Sequence, residues 1–212
     1  MQITFLFYEG MTTLDIIGPH EVLTRLPDVT IQRVAKRAGI VRAGFDLELN
    51  AEYALSQITQ TDILVVPGGG TASSLSHQPE IINWIKAIHK TTQWTTSVCT
   101  GSLILGAAGI LQGKQATTHW AVLDRLKLWD AIPISKRVVE DGKIITAAGV
   151  SAGIDMALLL AAKVAGQQVA ETLQLGIEYD PEPPFNAGSP DKVKPEIVAS
   201  LRERLLNRFE KV

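Results

Sequence analysis

Short runs rich in β-branched residues alternate with longer stretches of 3.6-residue apolar spacing along most of this chain. That alternation confines it to an α/β architecture built on a largely parallel sheet. Residues 2–8 (QITFLFY), 29–35 (VTIQRVA), 62–67 (DILVVP) and 93–98 (QWTTSV) read as strands. Helices are expected from 3.6-residue spacing at Ile81, Ile85 and Ile88 after Pro79, at Leu103, Leu105, Ala107 and Leu111 after Cys99, and at Val122, Leu126 and Trp129 after His119. Ser151 precedes an apolar helix running to Val164, and Pro195 opens a last helix with Ile197, Leu201, Leu205 and Phe209 on one stripe. Between Ser135 and Thr146, Asp141-Gly142 separates RVVE from KIIT, which is hairpin chemistry and is expected at a sheet edge. Residues 180–194, DPEPPFNAGSPDKVK, are too rich in Pro, Asn and Gly for regular structure.

Composition narrows the function classes. With 46% hydrophobic residues over 212 positions, the chain can fill one sizeable core, and a single domain over 1–212 is expected. A net charge of −2, with no block of like charges, gives no electrostatic footprint for nucleic acid. The longest apolar stretch, 149–166, carries Asp155 and Lys163 and falls short of the ~20 residues a membrane span needs, so no membrane partner is expected. One cysteine forms no intrachain disulfide, and MQITFLFYEG has none of the regions of a signal peptide, so a cytoplasmic location is the expectation. His20, His77 and His89 have no ligand-like partners in sequence, and no metal site is expected.

That cysteine, in SVCTGS, falls between a strand ending at Val98 and a helix beginning near Thr100-Gly101. A direct strand-to-helix turn of this kind is a nucleophile elbow, which lifts the side chain out of the sheet. A thiol facing the orphan N–H groups of a helix start is expected to have a lowered pKa and to be largely thiolate at neutral pH. The alternative is an inert cysteine buried at the end of a core strand.

Two further segments belong at the same sheet edge. Pro67-Gly68-Gly69-Gly70-Thr71 follows a strand, and in an open parallel sheet the carboxyl ends of strands face the ligand crevice. Its glycines can present backbone N–H groups as an oxyanion hole or simply make a tight turn. As a phosphate loop it is poor, because GxxxxGK[ST] is absent and Ser73 stands where the last glycine of GxGxxG would fall. Asp15, in TLDIIGPHEVL, lies just beyond the first strand. Since Pro19 is disfavoured inside a helix, this segment reads as a short turn over Thr13 to Ile17, then a new helix with Pro19 near its start and Glu21 in its first turn.

With these residues in view, LDIIGPHEVL, ILVVPGGG, SVCTGSLILGAAGIL, ATTHW and EYDPEPPFNAGSP, in that order, resemble the DJ-1/PfpI superfamily, and within it the isonitrile hydratase branch. The resemblance implies a flavodoxin-like three-layer α/β sandwich of the class I glutamine amidotransferase-like type, usually a homodimer, using neither metal nor organic cofactor. Cys99 matches the nucleophile, Asp15 the neighbouring acid and Thr100 the threonine after the cysteine. Much of the superfamily has Glu at the acid position; the hydratase branch has Asp, as here. The implied reaction on a small-molecule substrate is hydration of an isonitrile to an N-substituted formamide through a thioimidate on Cys99. Backbone N–H groups near Gly69, Gly70 and Thr100, with another from Val150, are expected to stabilise charge, and the Thr100 hydroxyl to hold Asp15 or water. His119 lines the pocket or caps its own helix.

Other readings fare differently against the same residues. A glutamine amidotransferase needs His-x-Glu downstream of the cysteine, and His119 is followed by Trp120 and Ala121. PfpI-type peptidases resemble this chain except that His follows their nucleophile, where Thr100 stands here. A DJ-1-like glyoxalase, deglycase or redox-stress protein shares the activated cysteine and stays open. So does a small-molecule sensor domain, although the ~20 residues after Asp191 leave no room for a helix-turn-helix module.

Overall fold

Seven strands hydrogen-bond into one sheet, and the order in which they do so decides where the site lies. The structure, a computed structural model, describes residues 1–210, of which the side chains of 208–210 are left aside; the expected place of Phe209 therefore falls outside the described residues. In chain order the first elements are β1 (Gln2–Leu6), α1 (Thr13–Leu23), β2 (Thr30–Ala35), β3 (Gly39–Arg42), β4 (Glu48–Ala51), β5 (Tyr53–Ala54) and β6 (Ile63–Val66). Next come α2 (Ala72–Leu75), α3 (Pro79–His89), β7 (Trp94–Val98), α4 (Gly101–Ala107), β8 (Gln115–Ala116) and β9 (Ile132–Pro133). The chain continues through β10 (Val138–Asp141), β11 (Ile144–Ala147), α5 (Ala152–Ala165), α6 (Gln167–Gly176) and α7 (Pro195–Glu210).

The sheet order is β10-β11-β7-β6-β1-β2-β5. Every neighbouring pair is parallel except β10 and β11, the expected edge hairpin, whose turn holds Gly142 at φ +63°. Strands covered on both faces read as continuous apolar runs, and Ile63, Leu64, Val65 and Val66 of β6 are all fully buried. Helix α1 packs on α5 and α5 on α6, while α4 packs against α2 and α3, which gives the three-layer sandwich. Burial of the β6 side chains alone contributes of order 1.5–3 kcal/mol each.

The structure departs from the sequence reading at several places; the helix after Cys99, for one, ends at Ala107, short of Leu111. Helix α1 is continuous from Thr13 to Leu23 with Pro19 inside it, and Glu21 is near its end rather than its start. The cost of the missing N–H is offset by packing: Pro19 is buried against Gly153 of α5, where a Cβ would come within 3.1 Å of the Pro19 ring. Gly18 lets the same helices approach, since a Cβ there would lie 2.9 Å from Ile154. The segment Trp120–Trp129 is 3-10 helical with a break at Val122, not an α-helix. The antiparallel β3–β4 ribbon and helix α6 have no counterpart in the sequence reading, because their short or mixed patterns carry little periodicity.

Candidate active site

At the carboxyl end of β7 the chain turns sharply. Cys99 adopts φ +56°, a left-handed conformation that costs a non-glycine residue of order 1–3 kcal/mol and persists only where surroundings over-determine it. Those surroundings are visible. The Cys99 N–H is shared between the carbonyls of Ala147 at 3.1 Å and Ala148 at 2.8 Å. Its carbonyl accepts from the Thr118 hydroxyl at 2.9 Å and the Ser102 hydroxyl at 3.2 Å. Gly101 starts α4 because a Cβ there would meet the Val66 carbonyl oxygen at 2.3 Å. The expected elbow is thus present, with its strain on the cysteine.

Asp15 lies in the first turn of α1 and is fully buried. Its Oδ2 accepts the Gly68 N–H at 2.9 Å, while Oδ1 completes no hydrogen bond among the described residues. The glycine loop therefore holds the acid. The Gly69 N–H donates to the Thr100 hydroxyl at 2.9 Å, and that hydroxyl donates back to the Gly69 carbonyl at 3.1 Å. Thr100 thus ties the two turns together through its hydroxyl and the Gly69 N–H and carbonyl. A Cβ on Gly68 would lie 2.5 Å from the Thr100 nitrogen and 2.9 Å from Asp15 Oδ2, and one on Gly69 2.6 Å from the Gly10 carbonyl oxygen.

Burial governs the protons. It raises the Asp15 carboxyl from 3.8 to about 7, against the opposing pull of the Gly68 N–H and of the neighbouring Cys99 side chain. Burial, then the charge of Asp15, push the Cys99 thiol up, while the backbone N–H groups of Thr100 and Val150 and the Thr100 side chain pull it down. The isolated thiolate expected from a helix start is therefore not the resting form. A dry carboxyl and a dry thiol facing each other disfavour a double negative charge and hold one proton between them. Tyr8, which the sequence reading passed over, is buried beside them, donates to the Pro67 carbonyl at 3.0 Å and is itself pushed up by burial and by the charges of Asp15 and Cys99.

A cavity of about 370 Å³ opens above the cysteine. Thr12, Leu14, Gly70, Val150, His119 and Leu205 are among its walls. His119 fills both expected places at once, since its Nδ1 also accepts the Ala121 N–H at 3.3 Å. Burial lowers its pKa, which keeps the imidazole neutral. Leu205, a residue of α7, was legible only as part of an apolar stripe. Phe45, on a loop with φ +60°, had no signal beyond its hydrophobicity. Among the described residues no group of His, Cys, Asp and Glu has the spacing of a metal site, and no helix is long and apolar enough to cross a membrane.

Comparison with known proteins places this geometry. The chain is 42% identical over 204 residues to the isonitrile hydratase of Pseudomonas putida, covering 96% of this chain and 90% of that protein. It superposes with a TM-score of 0.95 on a ThiJ/PfpI family protein from Pseudomonas syringae, at 37% identity, covering 99% of this chain and 88% of that one. A helix-turn-helix-type transcriptional regulator of Pseudomonas aeruginosa is 31% identical over 134 residues, only 40% of its length. The profile of the DJ-1/PfpI family matches residues 1–163, which span β1 to most of α5 and contain Asp15, the glycine turn and Cys99. The chain belongs to the DJ-1/PfpI family.

Proposed function

We propose that this protein is an enzyme that hydrates isonitriles to N-substituted formamides, with Cys99 as nucleophile and Asp15 as general acid and base. The carrying observation is the buried Asp15–Cys99 pair with an unsatisfied carboxyl oxygen, under a largely apolar cavity. The similarity to a protein named isonitrile hydratase supports the same substrate class.

The steps follow from where the proton sits. As sulfur bonds to the terminal carbon of R–N≡C, the thiol proton passes through Asp15 to that carbon, giving the thioimidate R–N=CH–S–Cys99. The Val150 and Thr100 N–H groups stabilise negative charge on sulfur as the thiol proton leaves. Water then adds to the same carbon, Asp15 taking its proton and delivering one to nitrogen. The adduct R–NH–CH(OH)–S–Cys99 collapses: the C–S bond breaks, the hydroxyl proton returns to sulfur, and R–NH–CHO leaves. Asp15 Oδ1 is the oxygen with capacity to accept these protons, because Oδ2 is occupied by Gly68.

A redox-sensing role has less support, since oxidation follows exposed thiolates and Cys99 is buried and held protonated. A homodimer is part of the proposal: Leu14 and Phe45, at the cavity wall, are 43% and 92% exposed, and nearby Ile17 and Leu47 add apolar surface for a second copy to cover. Formamide production from a simple alkyl isonitrile by wild type, and its loss in Cys99→Ser and Asp15→Asn, is the expected result. Wild type that makes no formamide from alkyl or aryl isonitriles overturns the reading.

A further inference from the structure

His119 stands between two cavities. Beyond the catalytic one lies another of about 540 Å³, which shares His119 and Val150 as walls. Its remaining boundary includes Trp120, the stretch 135–137 and the loop 188–192. The nitrogen substituent of an isonitrile bonded to Cys99 points away from sulfur into the catalytic cavity of about 370 Å³, whose wall at His119 and Val150 is shared with the second one. The second cavity is therefore the neighbouring space available to a substituent that extends past His119.

The chemistry of that cavity is unlike the first. Arg137 is already committed: its guanidinium pairs with Asp155 and reaches the Ser151 hydroxyl, and the Tyr179 hydroxyl donates to the other Asp155 oxygen at 3.0 Å. Asp191 is engaged by the Ser189 hydroxyl. Lys136 and Lys192, both lining the cavity, form no ion pair among the described residues. Trp120 supplies a flat apolar wall, its ring also faced by the Arg202 guanidinium at 5.4 Å. The loop that resisted secondary-structure assignment, ending in a 3-10 turn at Pro190–Lys192, is what brings Lys192 to the same cavity as Lys136.

We propose that this second cavity is the subsite for the substituent of the isonitrile and that it selects substituents ending in a carboxylate, with Lys136 and Lys192 as the recognising cations. The inference rests on the hydratase reading and names its substrate class. An aliphatic stem spans the space beside His119 and Trp120, and the carboxylate meets two ammonium groups that form no ion pair among the described residues, Lys192 feeling only the charge of the adjacent Asp191.

The test compares ω-isocyano carboxylates of three to six methylenes with their methyl esters, reading kcat/KM for formamide release. In wild type the acid is expected to exceed its ester by about fivefold or more at low salt, the sum of two exposed charge pairs, with the advantage shrinking as salt is raised. In the Lys136→Met/Lys192→Met variant the acid-to-ester ratio is expected to fall to one or below, while Lys86→Met, an exposed substitution on α3, keeps the wild-type ratio. Hydration of both compounds without preference, or a preference that survives the double substitution, overturns the subsite and leaves the hydratase reading standing. Absence of hydration of every acid and ester, and of simple alkyl isonitriles, overturns both.

Discussion

The turns that follow β6 and β7 sit side by side at one edge of the sheet and use their residues in opposite ways. After β6, Gly68 and Gly69 have no positive φ; they are glycine because Thr100, Asp15, Gly10 and Met11 crowd the space a Cβ would take. After β7, the residue with the conformation suited to glycine is Cys99, at φ +56°. Room is conserved in the first turn and strain is accepted in the second. On the proposed mechanism the difference separates positioning from reaction: the glycine turn holds the acid in place, and the strained turn carries the sulfur.

Substitutions that move each property from one turn to the other break this comparison most sharply. Cys99→Gly removes the nucleophile and places glycine at a positive φ. Formamide formation is expected to fall by about 10⁴-fold or more, while the thermal midpoint rises as about 1 kcal/mol of backbone strain is relieved. A drop in stability would show that the cysteine side chain contributes more packing than its conformation costs.

The acid is tested by pH. Only the pair carrying one proton has both a base for the thiol and a proton for the substrate carbon, so wild-type kcat/KM is expected to fall about tenfold per pH unit below about 7, where Asp15 protonates. Stability runs the other way. With its native pKa raised from 3.8 to about 7, the neutral carboxyl is favoured by folding; this contribution is complete below 3.8 and is lost as pH rises through 7. Asp15→Asn is therefore expected to cut activity by about 10²- to 10⁴-fold, yet to unfold at higher denaturant than wild type at pH 8, by roughly 2–4 kcal/mol. Parallel pH–stability curves for the two proteins would contradict this.

Filling the first turn has a smaller effect. Gly68→Ala drives a methyl to 2.5 Å from the Thr100 nitrogen, and chemical denaturation is expected to show a loss of about 2–3 kcal/mol. Gly142→Ala, at φ +63° with nothing within 4 Å, should lose only about 1 kcal/mol. The tie between the turns is tested by Thr100→Val, which leaves the buried Gly69 N–H without its acceptor and is expected to cost about 1–3 kcal/mol, with Thr100→Ser restoring most of it. Equal losses for the valine and serine variants would assign the effect to packing rather than to the hydroxyl.

Much of this was legible in the chain. Apolar runs located the inner strands, because strands buried on both faces need continuous hydrophobicity, and Asp141-Gly142 marked the edge hairpin. Cys99 and Asp15 came forward because strand ends in a parallel sheet converge on one crevice. What stayed hidden depends on distances between segments remote in sequence. Pro19 belongs inside α1 only because Gly153, more than a hundred residues later, makes space for its ring. Of the β6 turn's expected anion donors, Gly69 has its N–H occupied by the Thr100 hydroxyl, as Gly68 has by Asp15, whereas Gly70 lines the cavity. The thiol proton likewise answers to burial and to a carboxylate from another element, which outweigh the short helix that follows it.

Leu205 carries a consequence of another kind. It reaches the catalytic cavity from α7, and the loop at 188–192 reaches the cavity beyond, whereas the family match ends at residue 163. The stretch that carries Asp15 and Cys99 and the stretch that closes part of both cavities are thus different lengths of chain, yet the likeness to the hydratase of Pseudomonas putida covers 96% of this chain and so takes in both. A tail that lies outside the shared family core still belongs to the walls of the pocket that core opens.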